Sequence, residues 1–164
     1  MTFIRSAIAS LLCLYPLTAF SSDGEYESLG NGFTGFYHQT DPFDATKKEF
    51  YMFNKGDFWF SCNEISFIAD DDASFDSFSF KAIFAFQVDD KPSEELSGKY
   101  STFLFGSDTV FDSRVYSTRM TQWFVSLLKE GNLVRAAGKF GGSGWTTKSL
   151  DLKGFTAAYD KACP

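Results

Sequence analysis

Apolar and polar side chains alternate along most of this chain, and that period of two predicts strands. The longest such run is Phe78 to Val88, where Phe78, Phe80, Ala82, Phe84, Phe86 and Val88 share one face. Ser79, Lys81 and Gln87 mark the other. Lys48 to Phe53 reads as a strand, Asn54-Lys55-Gly56-Asp57 as a hairpin turn, and Phe58 to Asn63 as the returning strand. In that strand Phe58, Phe60 and Cys62 fall on the expected core face, and Trp59, Ser61 and Asn63 on the opposite one. Further strands are expected at Phe36 to Thr40, Glu64 to Ala69, Lys99 to Phe105, Leu133 to Phe140 and Trp145 to Leu152. Turn-forming residues separate them: DPFDAT at 41–46, the acidic run Asp70 to Asp76, Asp89-Asp90-Lys91-Pro92, and GGSG at 141–144.

The period changes twice. Met120, Trp123, Phe124, Leu127 and Leu128 recur at helical spacing and predict a helix over Thr118 to Glu130, with Ser117 or Thr118 as its cap and Gly131 closing it. Phe155, Ala158, Tyr159 and Ala162 predict a short helix at the C-terminal end, with Cys163 four residues after Tyr159. Together these elements predict a mainly β fold, an antiparallel β-sandwich with one inserted helix and a short C-terminal helix.

The first residues follow a different logic. Arg5 is the only charge before Asp23, Ser6 to Ala19 is an apolar run, and Ala19-Phe20-Ser21 offers small residues for cleavage. This is the pattern of a signal peptide over residues 1–21. Residues 22–35 are polar and glycine-rich and read as a flexible N-terminal lead; 36–164 read as a single domain. Export changes the cysteine arithmetic, because Cys13 leaves with the signal and only Cys62 and Cys163 remain. Two cysteines in an oxidising compartment predict one disulfide, closing a loop of roughly a hundred residues. A reduced redox pair would need a C-x-x-C spacing that the chain lacks.

Charge and candidate chemistry narrow the function classes. The formal charge of −6 argues against nucleic acid and against anionic lipid. His38 is the only histidine, so a hydrolase triad or a zinc site has little to build on. Asp70, Asp72, Ser74 and Asp76 alternate as a calcium loop opens, but Phe75 and Lys81 stand where glycine and a bidentate glutamate are required. GGSG is followed by a strand rather than a helix, so it reads as a hairpin loop and not a phosphate cradle. No cofactor or metal is called for. Trp59, Tyr51, Phe53 and Trp145 are the candidates for outward aromatic positions, and Trp59 and Trp145 the residues singled out as surface contacts for a protein partner.

Several segments taken in order resemble a known family. They are Cys62, the strand into VDDKP at 88–92, the helix WFVSLLKEGN at 123–132, the strand LVRA at 133–136, and SLDLKGFTAAYDKAC at 149–163. They resemble the periplasmic type VI secretion-associated proteins of the VasI or TagO type, as does DPFDATKKEFYM at 41–52. GFTAAYDK at 154–161 also resembles the invasion-associated locus B family. Ser61 and Gln87 stand where the first family carries arginine. The resemblance implies a non-enzymatic accessory or binding protein, periplasmic or secreted, with a protein partner in the envelope or outside the cell. Two alternatives stay open: a secreted host-interaction factor, and a small periplasmic inhibitor of a basic lysozyme.

Overall fold

Short turns between alternating runs favour antiparallel neighbours, and among the described residues every strand pair is antiparallel. The computed structural model describes residues 25–70, 79–103 and 113–164. The expected signal segment and the acidic run after Asp70 lie outside them. Within these residues the elements are β1 (Glu25–Gly30), β2 (Phe33–Gln39), β3 (Lys48–Lys55), β4 (Phe58–Phe60), β5 (Glu64–Asp70), β6 (Ser79–Val88), β7 (Glu94–Phe103), β8 (Ser113–Arg119), α1 (Gln122–Glu130), β9 (Leu133–Lys139), β10 (Thr146–Asp151) and α2 (Phe155–Ala162).

The strands form one sheet in the order β1-β2-β3-β4-β5-β8-β7-β6-β9-β10. The β6–β7–β8 meander is therefore inserted in reverse between β5 and β9. This sheet folds over its own core. Phe67 of β5 meets Phe84 of β6 at 5.6 Å between ring centroids, although two strands separate them in the sheet. At the far end, Lys148 of β10 reaches Asp57 in the β3–β4 turn at 2.7 Å, and the Lys55 ammonium donates to the Asp151 carbonyl at 2.8 Å. The mainly β class and the two helices are as expected, while one continuous folded sheet stands in place of two separate ones.

Phenylalanine fills the interior. Phe33, Phe53, Phe58, Phe60, Phe67, Phe84, Phe124 and Phe155 are all fully buried. Phe53 and Phe60 lie directly opposite on β3 and β4 and stack at 5.1 Å. Phe155 brings α2 down onto them, edge-on to Phe60 at 5.1 Å. Phe124 of α1 stacks on Phe86 at 3.8 Å. Where β9 crosses Tyr116, only glycine fits, because a Cβ on Gly138 would overlap the Tyr116 ring. Gly138→Ala is expected to cost about 1–3 kcal/mol through overpacking, measured as a lower urea midpoint with an unchanged slope.

Four expectations are corrected. The lead at 22–35 is not loose from residue 25 onward: it contributes β1 and the start of β2, and Phe33 is buried. Its glycines make a tight hairpin, since Gly30, Asn31 and Gly32 all take positive φ (89, 51 and 82°). Phe53 is a core residue and not an outward aromatic, because β3 bulges at Tyr51: Phe36 opposes Met52 and Tyr37 opposes Phe50. The long helix starts at Gln122 with Thr121 as its cap, its hydroxyl accepting the Phe124 N–H at 3.3 Å. Ser117 and Thr118 belong instead to β8, which was not foreseen. Val115, Tyr116, Ser117 and Thr118 are all buried, so β8 is covered on both faces and shows no alternation.

The VDDKP turn pins α1 to β9. Asp89 takes φ 51°, and its carboxylate accepts the N–H groups of Leu133 (2.9 Å) and Asn132 (3.0 Å). Those bonds, Leu133 first, hold its pKa below the ordinary 3.8. A lowered carboxylate pKa stabilises the fold above the ordinary value and ceases to as pH falls through the folded value. Asp89→Asn is therefore expected to unfold at lower urea than wild type at pH 7, with the gap closing as the pH drops below 3.8. A gap independent of pH would overturn this role.

Candidate functional site

The C-terminal clasp comes first. Cys62 and Cys163 are disulfide-bonded, with Cα atoms 5.4 Å apart. Cys62 does not sit on the core face of a strand. β4 ends at Phe60, the Ser61 N–H bonds the Glu64 carbonyl at 2.9 Å, and Cys62 is exposed on the resulting bend. The Tyr159 hydroxyl donates to the Cys62 carbonyl at 2.8 Å, fastening α2 to the same bend. Beyond it Glu27 of β1 bridges Lys161 of α2 and Lys48 of β3. Lys161 and then Lys48 hold the Glu27 carboxyl below its usual value. Every polar partner here joins one element to another, so this cluster is a structural fastening.

The aromatic candidates have separate surroundings. Trp59 points outward from β4, half-buried, and stacks on Phe36 at 5.2 Å. Tyr51 is partly exposed and lies over His38, whose imidazole faces Glu49 at 3.7 Å. Trp145 is 46 % exposed, with the Lys139 ammonium 5.7 Å from its ring centre. GGSG is a hairpin loop between β9 and β10, tied by Ser143 to the Phe140 carbonyl at 2.6 Å. Among the described residues no three His, Cys, Asp or Glu side chains are placed to hold a metal ion.

A groove lies on the outer face of β6, β9 and β10. Register builds it: Ala85 opposes Ala137, which opposes Thr147, and Gln87 opposes Arg135, which opposes Ser149. All six side chains leave the sheet on the side away from Phe84, Phe86, Val134 and Ala136, which are buried. Two alanines make a low floor, hydroxyls form the β10 rim, and Ser93 also lines the groove. The groove opens to about 440 Å³. Its one strongly directional group is preset: Gln87 donates to the Lys91 carbonyl at 3.0 Å and accepts from the Arg135 guanidinium at 3.2 Å. Trp145 and Ile83, at 46 and 41 % exposure, stand one rung beyond it.

Trp145, which sequence reasoning singled out as a surface contact, stands at the margin of this groove, while Gln87 and Arg135 were not read as a pair. Gln87 was placed on the polar face of its predicted strand, and Arg135 lay in a predicted strand with no face assigned. Nothing local said that those strands are neighbours. The chain matches no protein-family model, no curated protein and no solved structure.

Proposed function

We propose that this protein is a non-enzymatic, exported accessory domain of the cell envelope that works by binding another protein through the β6–β9–β10 face. The groove around Arg135 carries the reading. It is an open concavity on paired strands, with a preset hydrogen-bonding group, a small apolar floor and two exposed large apolar side chains beside it. The Cys62–Cys163 disulfide fits an oxidising compartment, and no described helix is long and apolar enough to cross a membrane. The sequence resemblance to type VI secretion-associated periplasmic proteins supplies the envelope setting.

The test is a photo-crosslinking residue placed at Ser149, on the groove rim, and separately at Glu130 on α1, in cells whose periplasmic and culture fractions are then separated. A discrete protein adduct from position 149 and not from 130, in the periplasmic fraction, is the expected result. No adduct at 149, or the same adducts from both positions, would overturn the reading. Adducts confined to the culture fluid would move it to the host-interaction alternative.

A further inference from the structure

We propose that the groove receives an acidic peptide segment of the partner, with one carboxylate seated on Arg135 between Gln87 and Ser149. This rests on the binding reading above and names its chemistry. The charged residues lining the groove are Arg135 and Lys148, in a chain whose formal charge is −6, and of the two only Arg135 leaves the sheet on the groove side with Gln87 and Ser149. They are not equivalent. Lys148 is already paired with Asp57 at 2.7 Å. Arg135 is exposed, its side-chain bond is to the neutral Gln87, and among the described residues no carboxylate lies within ion-pair distance of it. A guanidinium presents five donors in a planar fork, and one bond to an amide leaves the rest for a bidentate acceptor.

The surroundings limit the occupant to a single charge. Lys139 continues the β9 row but is drawn over Trp145. Asp151 ends the β10 row, its carboxylate 3.8 Å from the Lys55 ammonium, and exposed Glu95 opposes Ala85 from β7. A polyanion would meet those two carboxylates; one acidic side chain with small apolar neighbours would not. A peptide suits the floor better than an acidic sugar does. The floor is alanine, and the exposed aromatic face that a pyranose ring stacks on lies outside the groove at Trp145. The site also turns against the lysozyme-inhibitor alternative, since a basic partner would have to use another face.

The full secreted chain is titrated with a blocked peptide carrying one glutamate between valines, followed by amide NMR shifts. Its glutamine twin and galacturonate are the comparisons. Expected are shifts at Ala85, Ala137, Thr147 and Ser149 with the glutamate peptide, affinity at least ~10-fold weaker for the glutamine peptide, and a comparable loss in Arg135→Gln protein. Arg135→Lys should recover part of it, because a point charge replaces the fork. Galacturonate binding in place of the peptide, or equal affinity for the glutamate and glutamine peptides, would overturn the proposal. Circular dichroism of Arg135→Gln checks that the fold is intact. The Ser149 crosslink separates the two readings: an adduct undiminished by Arg135→Glu leaves the binding face standing and removes the carboxylate seat. An adduct lost in Arg135→Glu supports both.

Discussion

Phe155→Ala is expected to lower the unfolding free energy by about 3–5 kcal/mol, the range for truncating a fully buried aromatic. Phe155 is the residue through which α2 reaches the core. Its ring lies 5.1 Å from Phe60, 6.0 Å from Phe53 and 6.1 Å from Phe33, so one substitution removes contacts to three strands. Those neighbours cannot close the gap by moving inward, because Phe53 and Phe60 are stacked in strand register and Phe33 is held by the β1–β2 hairpin. The backbone will not relax freely either. Gly154, just before the helix, takes φ 87° and packs against Asn31 of that hairpin. Urea unfolding followed by tryptophan fluorescence measures the loss. A change under about 1 kcal/mol would mean that α2 contributes little to the core.

Removing the disulfide is the second large effect. Cys62 and Cys163 are separated by 101 positions, and a cross-link over a loop of that length restricts the unfolded chain strongly. The Cys62→Ser/Cys163→Ser double variant is expected to lose about 2–5 kcal/mol. Dithiothreitol should impose a similar loss on the wild-type protein and none on the double variant. Equal sensitivity of both proteins to the reductant would refute the assignment. Because Phe155 and Cys163 hold opposite ends of one helix, the two losses should not add. With the end released, α2 can detach in either background, and the triple variant should be more stable than the summed effects predict. The Tyr159 bond to the Cys62 carbonyl belongs to the same clasp and should be lost with it.

The elements that were legible are those in which burial is one-sided. Phe84, Phe86 and Val88 alternate into the core from β6, as the pattern required. Phe58 and Phe60 do so from β4, and Phe155, Ala158 and Ala162 from α2. Phe80, on the same predicted face, is 49 % exposed because β6 runs past the end of the core. β8 was invisible for the opposite reason, being covered on both sides. The candidate site was hardest to see. Its alanines, hydroxyls, Gln87 and Arg135 are unremarkable outward residues until two strands separated by some fifty positions pair.

Legible from the residues alone were local features: the strand and helix periods, the β3–β4 and β9–β10 turns, the mainly β class and the pairing of Cys62 with Cys163. Those follow from side-chain spacing and residue count. Long-range pairing set the rest: the sheet order β5-β8-β7-β6-β9, the bulge at Tyr51 that turns Phe53 inward, and the placing of Gln87 beside Arg135. Each of these is a matter of register between distant segments, where a shift of one residue would send every side chain to the opposite face.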